Sequence, residues 1–232
     1  MRKVMFPCGG AGKKRAGLGI LLALGMSVLV PVYGTEVRDE PRYGSVYAPE
    51  GAPESAPVPL QVAQLKKQAA AGDAKSQAVL AFLYLQGVGV EQNERNARIL
   101  FEKAAAQGNA FSLTALADMY ARGRGVARDD EKAAYFAKKG AEAGVPKAQL
   151  ILAYLYEHGT GVARDLKKAF DWYTRSAEGG EAFAMYRIGL MYEKGLHVEK
   201  NPASARTWYE KAARYGNVYA QEKMAVIQTQ GK

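Results

Sequence analysis

The sequence is nearly without cysteine and histidine. Cys8 is the one cysteine among the 232 residues, and His158 and His197 are the two histidines. A single thiol excludes a disulfide bond within the chain, so stability has to come from packing. Two isolated histidines, with no H-E-x-x-H motif and no cysteine pair, do not make a zinc site. We therefore expect no metal and no cofactor.

Sequence signs of catalysis are also absent. The glycine loops G-V-G-V, G-R-G-V and G-T-G-V lack the third glycine and the preceding strand of a dinucleotide-binding loop. The serines lie in repeats or linkers and not in the strained turn of a nucleophile elbow. Helix caps and exposed helix faces account for the acidic residues. We expect no catalytic residues, no cofactor-binding residues and no enzyme.

The net charge outside the N-terminal segment is small. Residues 1–34 contribute +5 of the net charge of +9, which leaves +4 for the rest of the chain. Basic residues there alternate with acidic ones along helices, as in Glu102–Lys103 and Glu210–Lys211. A nucleic-acid-binding domain instead clusters Lys and Arg on one surface. We expect no nucleic-acid partner.

Residues 1–34 have the three parts of a signal peptide. A basic start ends at Arg15, an uncharged apolar run covers residues 16–32, and Val32-Tyr33-Gly34 offers a cleavage site. The alternative is an uncleaved anchor, but the run spans only about 25 Å as a helix, short of the ~30 Å hydrocarbon core. We expect a cleaved signal and a periplasmic or secreted protein; the alternative is an inner-membrane anchor facing the periplasm.

Residues 35–59 hold five of the nine prolines and show no helical periodicity. Proline fixes φ and removes a backbone donor, so this composition predicts an extended, disordered linker.

From residue 60 onward the sequence repeats every 36 residues. The predicted repeats are 74–109, 110–145, 146–181 and 182–217. A half-repeat at 60–73 precedes them, and a capping helix at 218–229 follows. Several columns keep the interval over four copies, such as Gly87, Gly123, Gly159 and Gly195, or Tyr84, Tyr120, Tyr156 and Tyr192. A stack of such units needs polar ends, because a terminal unit lacks one neighbour.

Each repeat predicts two helices, A and B. The A helices are predicted at 74–86, 110–122, 146–158 and 182–194, from apolar residues spaced three and four apart. Each ends at a glycine suited to a left-handed cap. The B helices begin after side chains that favour the N-cap. These are Asn93, Asp129, Asp165 and Asn201.

The repeat resembles the Sel1-like repeat family, which is related to tetratricopeptide repeats, over residues 60–229. The third copy fits the family pattern at Ala148, Leu152, Tyr156, Gly159, Gly161, Val162, Asp165, Lys168, Ala169, Trp172, Arg175, Ala177 and Gly180. His197 departs from it by replacing a loop glycine. The resemblance implies an all-α fold, a right-handed α-solenoid of antiparallel helix pairs whose A helices line the concave side. It also implies an adaptor in secretion, envelope assembly or host interaction.

Positions 2, 5, 6, 9 and 13 of the A helices are left free by the repeat pattern and are expected to face the concave groove. The partner-binding candidates there are Phe82, Phe111, Asp118, Arg122, Tyr154, His158, Phe183, Tyr186, Arg187 and Lys194. Aromatic residues and Arg concentrate binding energy at interfaces, and such a groove suits an extended or helical peptide. The alternative for each residue alone is packing between neighbouring A helices.

These observations favour a non-catalytic scaffold of the bacterial cell envelope that binds a protein or peptide. The alternatives are a cell-wall or polysaccharide-associated factor, or a β-lactamase-like hydrolase. Some family members resemble β-lactamases or penicillin-binding proteins, but their repeats are cysteine-rich and these are not. The sequence indicates neither the partner nor the oligomeric state.

Overall fold

The structure, a computed structural model, describes residues 58–230, and its regular secondary structure there is entirely α-helical. The predicted signal peptide, the predicted linker up to residue 57 and Cys8 lie outside the described residues. The helices are α1 (Val58–Ala70), α2 (Ala74–Gln86), α3 (Glu94–Ala106), α4 (Ala110–Arg122), α5 (Asp130–Glu142), α6 (Pro146–His158), α7 (Leu166–Glu178), α8 (Ala182–Lys194), α9 (Pro202–Arg214) and α10 (Val218–Gln230).

Each helix in this part of the chain packs against the helices before and after it, and α4 also contacts α6. Helices α2, α4, α6 and α8 occupy the ranges predicted for the A helices, and α3, α5, α7 and α9 are the B helices. The predicted fold class, an all-α solenoid of helix pairs, is therefore confirmed. None of the described helices has the length and apolar character needed to cross a membrane.

The B helices begin at the predicted caps. The side chain of Asn93 accepts a hydrogen bond from the Asn96 amide at 2.9 Å, and Asp129 accepts one from the Lys132 amide at the same distance. Asp165 and Asn201 cap α7 and α9 in the same way. A side chain that satisfies a free amide at a helix start stabilises it by about 1 kcal/mol. The four predicted caps are confirmed.

The A and B helices of a repeat approach closely because small residues separate them. Ala97, Ala133 and Ala169 on the B helices have no exposed surface. On the A side, a Cβ added to Gly189 would lie 2.6 Å from the Tyr209 ring. Buried small residues of this kind allow two helix backbones to pack together without a void.

The two ends of the described stack carry glutamine where inner repeats carry apolar residues. Gln64 and Gln68 of α1 lie 36 residues before Leu100 and Ala104. Gln228 of α10 takes the place of the Tyr192 column. All three glutamines are exposed. Gln68 Oε1 accepts a hydrogen bond from Ser76 Oγ of α2 at 3.1 Å. An amide is costly to bury without hydrogen-bond partners, so the exposed Gln64 and Gln228 suit the last face of a stack.

The loop between A and B helices passes over the start of the preceding B helix. Gly161 has φ +66°, and a Cβ there would lie 1.9 Å from the Asp130 carbonyl oxygen. His197 takes the equivalent position in the fourth repeat, and it is the non-glycine residue with positive φ, +65°, among those described. Its ring lies 6.1 Å from that of Phe170. The loop of the fourth repeat therefore has the same left-handed backbone conformation as the others, although histidine favours negative φ.

We expect His197→Gly to stabilise the protein. A non-glycine residue in this conformation destabilises the folded state by about 1–2 kcal/mol. Replacing it with glycine removes that cost, but the larger backbone entropy of glycine in the unfolded chain offsets roughly 0.5–1 kcal/mol of the gain. The free energy of unfolding, measured by urea titration, should rise by about 0.5–1 kcal/mol. The reciprocal change Gly161→His should destabilise the fold because of the contact with Asp130. A destabilised His197→Gly would show that the strain is relieved in another way.

Candidate functional site

Side chains of consecutive A helices meet on one side of the helix stack, which we call the A-helix face. It comprises positions 2, 5, 6, 9 and 13 of α2, α4, α6 and α8, and positions 2, 5, 6 and 9 of α10. Phe82 of α2 and Phe111 of α4 have ring centroids 6.2 Å apart, and Phe183 of α8 lies 6.3 Å from Tyr219 of α10. Position 9 of one A helix thus contacts position 2 of the next in the first pair.

The N-terminal part of the A-helix face is largely core. The Phe111 ring lies 5.8 Å from the fully buried Phe101. Phe82 and Phe111 are partly buried and pack against the hydrophobic cluster that contains Leu85 and Leu116. For these two predicted site residues the structure favours packing, the alternative that the sequence left open.

The middle of the A-helix face is charged. Arg122 forms an ion pair with Asp118 on the same helix, with 2.6 Å between Nε and Oδ1. On α6, the next A helix, burial lowers the pKa of the Lys147 ammonium group. The carboxylates of Glu181 and Asp118 oppose this shift, and the charge of Arg122 adds to it. Lys147 is not among the predicted site residues, although it occupies position 2, as Phe111 and Phe183 do.

Tyr154 and His158 lie together on α6. Their ring centroids are 3.9 Å apart, and His158 Nδ1 lies 2.9 Å from the Tyr154 carbonyl oxygen. His158 is exposed, as is Lys194, which occupies the same position 13 on α8. Together with Arg122, these residues place a basic or titratable side chain at the last turn of three successive A helices.

An aromatic cluster occupies the C-terminal end of the A-helix face. Tyr186 lies 5.9 Å from Phe183 and 5.8 Å from Tyr219, measured between ring centroids. Tyr219 is 44% exposed, and Val226 on the same helix is 51% exposed. Neither residue is among the predicted site residues, because residues 218–229 were predicted only as a capping helix. Tyr219 occupies position 2 of its helix and Val226 position 9, which are positions that supplied predicted site residues on the other A helices. The repeat pattern therefore contained the information needed to select them.

Arg187, another predicted site residue, holds neighbouring helices together. Its guanidinium donates to Glu157 of α6, and the Tyr173 hydroxyl of α7 donates to the same carboxylate at 2.7 Å. The Arg187 and Glu157 side chains are only 17% and 10% exposed. Burial opposes the charge of Arg187, but Tyr173 and Glu157 outweigh it and raise the pKa of the guanidinium. This tie joins three helices and leaves little of Arg187 for a partner.

The same tie recurs one repeat later. The Tyr209 hydroxyl donates to Glu193 at 2.6 Å, and Lys223 Nζ donates to that carboxylate at 3.0 Å. Burial raises the pKa of Tyr209, and the hydrogen bond to Glu193 raises it further. The corresponding positions of the first repeats are apolar. They are Leu85, Phe101 and Ala115, then Ala121, Ala137 and Ile151.

Among the described residues, no three His, Cys, Asp or Glu side chains group together in a way that could hold a metal ion. The chemistry available on the A-helix face is that of aromatic rings, an imidazole and charged groups on a regular helical frame. Such side chains bind through apolar contact, stacking and ion pairing.

The stacked helix pairs and the 36-residue period define an α-helical repeat protein. The Sel1 repeat pattern matches residues 74–109, 110–145, 146–181 and 182–217. The chain belongs to the Sel1 repeat family.

Several solved structures are similar. A Sel1 repeat protein from Oxalobacter formigenes is 29% identical with a TM-score of 0.71, over 75% of this chain and 71% of that one. A protective antigen of uropathogenic Escherichia coli with an SLR fold is 35% identical with a TM-score of 0.68, over 76% of this chain. The match spans only 38% of that antigen. An immunity protein from Pseudomonas aeruginosa is 26% identical with a TM-score of 0.51, over 72% and 62% of the two chains. Among curated proteins the sequence has no significant match.

We expect Glu157→Leu to lower the free energy of unfolding by about 3–5 kcal/mol, because it leaves Arg187 buried without its carboxylate. The triple variant Glu157→Leu, Tyr173→Phe, Arg187→Ile copies the apolar side chains of earlier repeats and should recover most of that loss. Urea unfolding followed by circular dichroism measures both. If the free energy of unfolding of Glu157→Leu lies within about 1 kcal/mol of the parent's, the contacts among Glu157, Tyr173 and Arg187 contribute little to stability.

Proposed function

We propose that the protein is a non-catalytic scaffold that binds a peptide or protein segment on its A-helix face. The observation that carries this proposal is the aromatic cluster of Phe183, Tyr186 and Tyr219, which continues onto α10 and leaves Tyr219 44% exposed. Tyrosine side chains supply large contact area and a hydrogen-bonding hydroxyl at interfaces. An exposed apolar patch bordered by charged residues is typical of an interaction site.

The ties between repeats support this function. Glu157 joins Tyr173 and Arg187, and Glu193 joins Tyr209 and Lys223, so both α8 and α10 are held to their neighbours by charged hydrogen bonds. Tyr186 of the aromatic cluster directly precedes Arg187 on α8, and its ring centroid lies 5.7 Å from that of Tyr209. A binding surface on a rigid frame loses less conformational entropy when a partner binds.

The similar proteins point in the same direction. One is named an antigen and another an immunity protein, and neither name describes a chemical reaction. On this likeness, binding is a better proposal for the chain than catalysis. The alternative that the cluster stacks on cell-wall sugars rests on the same exposed rings, and a comparison of partners separates the two.

Binding is tested with the double variant Tyr154→Ala, Tyr219→Ala. The expected result is a roughly ten-fold weaker affinity, about 1.4 kcal/mol, seen as a lower yield of captured partner from envelope extracts. The matched control is Tyr135→Ala, which removes a tyrosine of similar exposure from the B helix α5. Quantitative mass spectrometry of the captured proteins, alongside sedimentation with purified cell-wall polymer, gives the readout.

Equal capture by the double variant and the parent, with both folded by circular dichroism, would reject the A-helix face as the binding site. Loss of polymer sedimentation without loss of any captured protein would instead favour the polysaccharide-associated function.

We also propose that this scaffold works in the periplasm or outside the cell. The support is the basic start, apolar run and small-residue site of residues 1–34. Fractionation should find the protein in the periplasm or the medium, and its N-terminal sequence should begin after Gly34. Recovery from the inner membrane with the first residues intact would favour the anchor, and recovery from the cytosol would contradict export.

A further inference from the structure

The positive charge of the described stack is concentrated on its B-type helices. These are the B helices α3, α5, α7 and α9 together with α1, which begins 36 residues before α3. They carry 14 Lys and Arg residues against eight Asp and Glu residues, whereas the rest of residues 58–230 carries ten of each. The A helices and the loops are therefore neutral in sum, and the excess of positive charge lies on the B-type helices.

Position 10 of every B-type helix holds an exposed cation. We call these five residues the cation row, and they are Lys67, Lys103, Lys139, Arg175 and Lys211. Each B-type helix packs against the A helices before and after it in the same order along the described stack. The row therefore runs from one end of this stack to the other with one cation per helix.

The carboxylates of the B-type helices pair with cations outside the row. Six of the eight form ion pairs, and none of these includes a row residue. Glu102, for example, directly precedes Lys103 but pairs with Arg98 at 2.7 Å. The other two carboxylates are those of Glu131 and Glu178. Glu178 lies three residues after Arg175, and neither carboxylate forms an ion pair within residues 58–230. The charge of the row is thus left largely uncompensated.

Aromatic rings hold three cations of the row in place. The contacts join Lys139 to Tyr135 at 5.1 Å, Arg175 to Trp172 at 4.6 Å and Lys211 to Trp208 at 4.6 Å, measured to the ring centroids. A ring attracts a cation but does not neutralise it. A side chain that is already ordered loses less conformational entropy when it binds an anion. These three cations are therefore prepared for an anionic ligand.

We propose that the cation row binds a linear acidic polysaccharide, whose carboxylates pair with successive B-type helices. The spacing of the charges favours this ligand. Packed helices lie roughly 8–10 Å apart, so neighbouring cations of the row are separated by about that distance or more. The phosphates of a nucleic-acid strand recur about every 3.4 Å, and most of them would have no partner on the row. A polysaccharide with an acidic group on every second sugar carries its charges farther apart.

An acidic peptide fits the cation row less well. Peptides bind folded domains by adding a strand to a sheet edge or by placing apolar anchors in a groove. The described part of the chain has no sheet, and the apolar side chains at position 7, beside the row, are partly buried. They are Leu100, Phe136, Trp172 and Trp208. The row thus offers charge but little apolar surface, and it lies on other helices than the A-helix face.

The test uses the purified full-length protein and a fluorescent oligosaccharide of galacturonic acid, long enough to cross the five B-type helices. The methyl ester of the same oligosaccharide is the uncharged comparison. Fluorescence anisotropy gives the dissociation constants. The acidic form should bind about ten-fold more tightly than the ester. Because salt screens exposed charges, this preference should shrink as the NaCl concentration is raised.

The row variant Lys103→Gln, Lys139→Gln, Lys211→Gln should lose most of the preference for the acidic oligosaccharide, because it removes three of the five cations. Arg175 stays in place because Glu178 lies close to it in sequence. All three lysines are exposed, so the variant should fold, and circular dichroism checks that it does.

The matched control is Lys66→Gln, Lys138→Gln, Lys167→Gln. It removes three exposed lysines from B-type helices at positions outside the row and changes the net charge equally. The control should keep the preference for the acidic form. An equal loss in the control and the row variant would show a general effect of net charge and would overturn the cation row as the site.

Other outcomes would overturn the polysaccharide. They are equal binding of the acid and its ester, no binding of the acid at about 1 mM, and binding of single-stranded DNA or poly-glutamate as tight as that of the acid. The row variant should still capture envelope proteins as the parent does, and Tyr154→Ala, Tyr219→Ala should still bind the oligosaccharide. Failure of the cation row and failure of the proposed function are therefore seen separately.

Discussion

Close packing of A and B helices at small residues is the constraint on which the rest of the structure depends. Ala97, Ala133 and Ala169 have no exposed surface, and Gly189 leaves room for the Tyr209 ring and for no side chain of its own. In the other repeats the column of Gly189 holds alanine, at Ala81, Ala117 and Ala153, and all three are fully buried. These small residues keep the A and B helices close in each repeat. On the A-helix face, Phe82 of α2 then contacts Phe111 of α4, and Phe183 of α8 contacts Tyr219 of α10.

The sequence predicted the fold because its signals are local and repeated. The caps Asn93 and Asp129 act within three residues, and the glycine columns mark helix ends, so each prediction depends on a few neighbours. His197 shows the strength of the surrounding contacts, since the loop keeps its conformation without glycine. A single departure from the pattern therefore changes the local energy but not the architecture.

The candidate site was only partly predictable because its contacts depend on how one repeat is staggered against the next. The pairing of Glu157 with Arg187 joins residues 30 apart, and a column of free positions does not show that this arginine is neutralised. The distinction between Phe111, which packs on Phe101, and Tyr219, which stays exposed, also arises from the end of the stack. Position in the repeat identified the face, but burial decides which of its side chains a partner can reach.

The glutamines at the two ends of the described stack have a consequence for the evolution of such arrays. Gln64 lies at one end and Gln228 at the other, while the four repeats between them share one length and one pattern. Duplication of an internal unit would leave both terminal surfaces unchanged and would widen the recognition surface by one helix. The length of the binding surface can thus change by one 36-residue repeat at a time, while the polar ends of the array stay the same.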